Sequence, residues 1–115
     1  MYALCEYPDI FGGALCLSTH WPISMDDSNP EMPAKIISYF AEALPKGRKW
    51  YFDHGTKGLD QYYEPYQKRV DSVLVAKGYT AEENFISRKF EGHDHNEGDW
   101  NRRVHIPLEF ALGKK

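Results

Sequence analysis

Phe11-Gly12-Gly13-Ala14-Leu15-Cys16-Leu17-Ser18 is an almost unbroken apolar run. It lacks the alternation of a strand with one wet face, so it reads as a strand covered on both faces, as in a parallel sheet. Thr19-His20-Trp21-Pro22 ends it, and Ile23 to Pro33, with Asp26, Asp27, Ser28, Asn29 and two prolines, reads as a loop. Two further β-prone runs follow, Lys49 to Asp53 and Asn84 to Phe90. A helical stripe of Ile36, Ile37, Phe40 and Leu44 spans Pro33 to Leu44 and stops at Pro45 and Gly47. A second, with Tyr63, Tyr66, Val70, Val73 and Leu74 on its face, starts after Asp60 as a candidate N-cap and stops at Gly78.

Beyond the third strand, Glu91 to Asn96 is a polar turn bearing His93 and His95. A last helix runs from about Gly98 to Leu112, with Pro107 expected to bend or divide it. At the other end, Met1 to Glu6 reads as the final turns of a helix closed by Pro8. That helix has no polar lead-in, which suggests a chain cut inside an element.

Strands alternating with helices predict an α/β fold. The expected architecture is a three-layer domain covering residues 1–115, with a short parallel sheet of about three strands and helices on both faces. In such sheets chemistry gathers beyond the carboxyl ends of the strands. Those ends fall at Thr19-His20-Trp21, at Asp53 to Asp60 and at Gly92 to Glu97.

Composition narrows the function classes. The 115 residues carry a net charge of −3, with Lys and Arg scattered among acids, which argues against a nucleic-acid partner. No apolar stretch approaches a membrane span, so no membrane partner is expected; these residues contain no signal peptide, but a missing N-terminal half could carry one, so localisation stays open. Cys5 and Cys16 read as two buried free thiols, which suits a reducing compartment such as the cytoplasm without excluding others.

An acid after one strand and a histidine after the next is the back half of a Ser–Asp–His triad in α/β-hydrolase chain order. The acid orients and polarises the imidazole, which takes the proton of a serine and returns it to the leaving group. At these residues the chain resembles a known group of esterases, the family of esterase D and the enterochelin-esterase-like hydrolases in the α/β-hydrolase superfamily. The resemblance lies in Tyr2 to Trp21, in Tyr51-Phe52-Asp53-His54-Gly55-Thr56-Lys57-Gly58-Leu59-Asp60, and in Phe90-Glu91-Gly92-His93-Asp94-His95-Asn96-Glu97-Gly98-Asp99-Trp100.

The resemblance implies the C-terminal half of a carboxylic ester hydrolase with no cofactor. It places the histidine five positions before Trp100-Asn101-Arg102, at His95 rather than His93, and the acid after the glycine turn, at Asp60 ahead of Asp53. His20 and Trp21 would lie near the substrate pocket, Trp21 as pocket wall or as core.

The departure is the nucleophile. No G-x-S-x-G elbow occurs; Ser18 ends a strand, and Ser24 and Ser28 lie in a loop. The strands before the elbow and the oxyanion-hole loop are missing too.

The expected molecule is therefore a fragment inactive alone. It would self-associate through the bare Phe11–Ser18 edge, or be completed in trans by a missing N-terminal half. The alternative is a non-enzymatic α/β module that binds a ligand or a metal. Its metal form would draw on His93, Asp94, His95, His54 and His20, although no H-x-x-x-H or C-x-x-C pairing is present.

Overall fold

The computed structural model describes residues 1–21 and 31–113. Helix α1 (Tyr2–Glu6) leads to strand β1 (Gly13–Cys16), helix α2 (Glu31–Ala43) and strand β2 (Lys49–His54). A 3-10 turn (Gly58–Tyr62), helix α3 (Glu64–Ala76) and strand β3 (Phe85–Lys89) follow, then helices α4 (Glu97–Arg103) and α5 (His105–Leu112). The three strands form one all-parallel sheet in the order β1-β2-β3, the α/β architecture expected from the alternation of patterns.

The central strand is β2, buried from Trp50 to His54. Its side chains alternate between two layers. Trp50 and Phe52 join the core made with α1, α2 and α3, where Phe40 meets Trp50 edge-on at 5.1 Å. Tyr51 and Asp53 face the opposite layer, where Arg103 of α4 reaches Asp53. Helices thus cover both faces of the sheet.

Two readings of the apolar run need correction. Its strand is only Gly13 to Cys16, and it is half-exposed rather than covered on both faces. Among the described residues β1 pairs only with β2 and stands at the edge of the sheet, where its side chains have fewer neighbours than those of the central strand. Hydrophobicity without alternation reflects close strand packing here, not double coverage. A Cβ at Gly13 would stand 2.9 Å from the Lys49 carbonyl oxygen, so the run needs its glycine there.

Part of the expected 23–33 loop is helical, because Glu31, Met32 and Pro33 form the first turn of α2; the remainder lies outside the described residues. Pro33 is tolerated there because a first-turn N–H has no helical acceptor. The stop at Gly78 is a Schellman closure: Tyr79 N donates to Leu74 O at 3.0 Å and Gly78 N to Val75 O at 3.1 Å, with Gly78 at φ 95°. The last helix divides at Val104, three residues before Pro107. The proline has no N–H for the Arg103 carbonyl and its ring would meet that group, so the break falls a turn upstream. Asn96 caps α4 by accepting from Asp99 N at 2.9 Å.

Both cysteines are free; Cys5 is buried and Cys16 only half-buried, and burial pushes both thiols above their usual pKa. Among the described residues no helix is long and apolar enough to cross a membrane.

Candidate functional site

Three chain segments meet at the carboxyl end of the sheet: the turn after β1, the turn after β2 and the turn after β3. The last two are pinned through one carbonyl, since Thr56 N and Lys57 N both donate to His93 O, at 2.9 and 3.0 Å. Gly92 N donates to Thr56 Oγ1 at 2.8 Å and completes the clasp. This brings Asp60 and His95 together across 35 positions of sequence, with His95 Nδ1 2.8 Å from Asp60 Oδ1.

Asp60 is fully buried and does not cap a helix. It lies inside the 3-10 turn, while α3 starts at Glu64 with no side-chain cap. Its other oxygen accepts from Gly55 N and from Ser18 Oγ, each at 2.6 Å. A carboxylate with that many donors is held in one orientation. Because Asp60 is an acceptor, His95 carries its proton on Nδ1, and the Nε2 lone pair of the neutral ring is left for another group. The imidazole sits edge-on to Trp100 at 5.1 Å and to Tyr63 at 6.1 Å, about a quarter exposed.

Tyr63 links the two outer histidines. Its hydroxyl is 2.7 Å from His20 Nδ1 and 3.4 Å from His95 Nδ1. Burial, with Asp60 nearby, pushes the phenol up to about 12, so it remains a donor and serves His20. His20 therefore stands beside the Asp60–His95 pair on the surface. Trp21 turns away into the core against Phe52, at 6.1 Å between ring centres, which is the core placement weighed above.

Asp53, the competing acid, belongs to a different pair. Arg103 grips it with Nε to Oδ2 at 3.0 Å and Nη2 to Oδ1 at 2.9 Å, both side chains buried. Tyr51 also donates to Asp53 at 2.7 Å, and burial followed by the aspartate charge raises that phenol's pKa.

Ser18 ties the two aspartates together. Its N–H donates to Asp53 Oδ1 at 2.8 Å and its hydroxyl to Asp60 Oδ2. Its Oγ accepts from Trp100 Nε1 and Arg103 Nη2, both at 2.8 Å, so every polar capacity of the hydroxyl is used. This residue is in the left-handed region, φ 46°, which a serine adopts only where its surroundings impose it. With its proton committed to the acid, Ser18 is no triad nucleophile. Ser24 and Ser28 lie outside the described residues.

His93 faces the arginines, with Nδ1 2.9 Å from Arg103 Nη1 and Nε2 3.0 Å from Arg102 Nη2. A neutral ring has one lone pair, so it accepts from only one of them at a time. The histidines proposed as metal ligands do not converge: His20 holds Tyr63, His54 holds the Gly55 carbonyl, and His93 and His95 have separate partners. Among the described residues no group of three or more His, Cys, Asp or Glu side chains is placed to bind a metal.

Sequence reasoning missed Arg103, Ser18, Tyr63 and Trp100 as members of this network. The one available signal was the i, i+3 spacing of Trp100 and Arg103, which puts both on the inner face of α4. No protein-family model, no curated protein and no solved structure matches the chain.

Proposed function

We propose that this chain is the C-terminal part of an α/β-hydrolase esterase, supplying Asp60 as the acid and His95 as the base of a Ser–Asp–His triad whose serine it lacks. The observation that supports this reading most is the 2.8 Å contact between His95 Nδ1 and a fully buried, triply hydrogen-bonded Asp60 at the carboxyl end of a parallel sheet. A surface histidine pairs with water or with a flexible acid. A general base needs one tautomer, a fixed ring and an available Nε2, and among the described residues no partner takes the Nε2 of His95. His20, held by the hydroxyl of the buried Tyr63, would stand on the adjoining surface where an ester substrate would lie.

The chain alone is expected not to hydrolyse a short-chain chromogenic ester above background, with wild type and His95→Ala indistinguishable. Activity lost in His95→Ala would show that a nucleophile is present and overturn the silent-fragment reading. Co-expression with the serine-bearing half of such an esterase should restore hydrolysis, and Asp60→Asn or His95→Ala should abolish it. A folded complex whose activity ignores both substitutions would sink the triad assignment.

The open edge of β1 carries the partner proposal. Ile10 is 73% exposed and Phe11 44%, just ahead of β1, and α5, which packs on β1, exposes Leu112. A strand edge that has no partner among the described residues and is bordered by apolar side chains invites pairing. Two copies associate through it, or a separate N-terminal half covers it. Sedimentation is expected to give a dimer that Ile10→Lys with Phe11→Lys dissociates. A wild-type monomer at high micromolar concentration would refute self-association.

A further inference from the structure

A second polar site lies on the other face of the sheet, at the carboxyl ends of β2 and β3, against α3. It is a cavity of about 130 Å³ walled by His54, Gln67, Asp71, Ser87, Lys68 and Lys89, and none of these belongs to the Asp60–His95 network. Ligands of open α/β sheets settle at this edge.

Two of its side chains are almost wholly buried and incompletely used. His54 is 5% exposed, and its Nδ1 lies 2.8 Å from the Gly55 carbonyl, an acceptor. The neutral ring therefore keeps its proton on Nδ1 and has a lone pair on Nε2. Gln67 is 3% exposed and donates from Nε2 to Asp71 Oδ1 at 2.9 Å. Ser87 Oγ takes the other Asp71 oxygen at 2.9 Å, which fixes the carboxylate and hence the amide. Among the described residues neither His54 Nε2 nor Gln67 Oε1 has a hydrogen-bond partner, and neither is sealed from solvent. Two fixed acceptors thus open onto one small space. Water fills both in the empty pocket, and a ligand that donates to them replaces that water without loss of hydrogen bonds.

The rim carries Lys68, Lys89 and Arg88 around one carboxylate, Glu64, and its pairs are loose. Lys89 approaches Glu64 at 3.4 Å and Glu91 at 3.4 Å, and Lys68 approaches Glu64 at 3.2 Å. Exposed pairs of that geometry are weak, so an anion can compete for the ammonium groups. At about 30 Å³ per water, the cavity holds roughly four to six non-hydrogen atoms.

We propose that this cavity binds a small carboxylate that also carries a hydroxyl or amino donor, the donor to His54 Nε2 and Gln67 Oε1 and the carboxylate to Lys68 and Lys89. The site is independent of the esterase reading and reports on it neither way. Glycolate is the probe, followed by ¹H–¹⁵N NMR of the whole chain. The expected result is a saturable shift centred on the Gln67 side-chain amide and on Ser87 to Lys89. Acetate, which lacks the donor, and ethylene glycol, which lacks the charge, should each bind about tenfold more weakly, the scale of one good hydrogen bond or charge contact. Gln67→Met, which preserves volume, should remove the glycolate response. Lys89→Gln, at the half-exposed rim and harmless to the fold, should weaken glycolate while leaving ethylene glycol unchanged. No saturable shift with glycolate, equal binding of acetate, shifts centred on His95, or a response unchanged in Lys89→Gln would each overturn the proposal.

Discussion

Arg103→Met is expected to lower the unfolding free energy by about 3–5 kcal/mol, the cost of breaking one side of a buried ion pair. A domain of this size holds roughly 5–15 kcal/mol in all, so the variant stands at the margin of folding. The cause is specific. Arg103 is 1% exposed and is shared between Asp53, Ser18 and His93, with Asp60 at 4.0 Å. Removing it strands the fully buried Asp53 carboxylate and takes from a second buried carboxylate, Asp60, the guanidinium that lies 4.0 Å from it. Asp53→Asn in the same background should recover part of the loss, because the amide oxygen still accepts from Ser18 N while the unpaired charge is gone. That sign of non-additivity identifies the ion pair rather than lost packing as the main term. Urea denaturation of the wild type, both single variants and the double variant measures it. A loss under about 1 kcal/mol for Arg103→Met, the range of exposed pairs, would mean that the pair is not buried in solution.

How far the sequence reveals this arrangement depends on the kind of signal. The Lys49–Asp53 run and the stripe of Ile36, Ile37, Phe40 and Leu44 record burial directly, and β2 and α2 lie on them within a few residues. Gly78 and Pro107 act through backbone chemistry and mark their breaks for the same reason. Strand position in the sheet is different. Nothing in Phe11 to Ser18 says how many neighbours the strand has, and that number decides whether a face or an edge is open. The buried polar network is harder still. Arg102 and Arg103 are adjacent and chemically alike, yet one is exposed and the other is among the most buried side chains. Asp53 and Asp60 are both buried, one at the penultimate position of β2 and the other in the turn after it; only the fold of the glycine turn decides which of them reaches His95. A polar residue in a helix or turn reads as solvated by default, and its partners here are up to 85 positions away.

The two halves of the network have different tasks. Asp53 and Arg103 fill the layer beneath the site with a paired charge, and Ser18, held at positive φ, connects that layer to Asp60. Asp60 then presents its remaining oxygen outward. Rigidity of this kind is what a site needs if a single hydrogen bond is to orient an imidazole. It also explains why the turn after β1, although it carries no side chain to His95, is part of the site: its serine supplies one of the donors that fix the acid.

Gly55→Ala tests that coupling from the opposite side and is expected to cost about 3 kcal/mol, the upper range for overpacking a site that cannot relax. The added Cβ would stand 2.1 Å from the His93 carbonyl oxygen and 2.6 Å from its carbon. Both are backbone atoms, and that carbonyl is the one accepting from Thr56 N and Lys57 N, so neither turn can retreat without breaking the clasp. Gly55 N also donates to Asp60 Oδ2, and any shift of the turn lengthens that bond. The stability loss should therefore come with a local signature: the downfield Nδ1 proton resonance of His95, expected in the wild type from its bond to Asp60, should weaken or vanish while the signals of α2 persist. Gly98→Ala is the control. It sits in the first turn of α4 with its nearest neighbour, Asn96 Oδ1, at 3.4 Å, and at such a helical position the substitution should stabilise by roughly 0.4–1 kcal/mol through the unfolded chain. If Gly55→Ala behaves like Gly98→Ala, the turns after β2 and β3 are not in contact, and the alignment of Asp60 with His95 loses its structural basis.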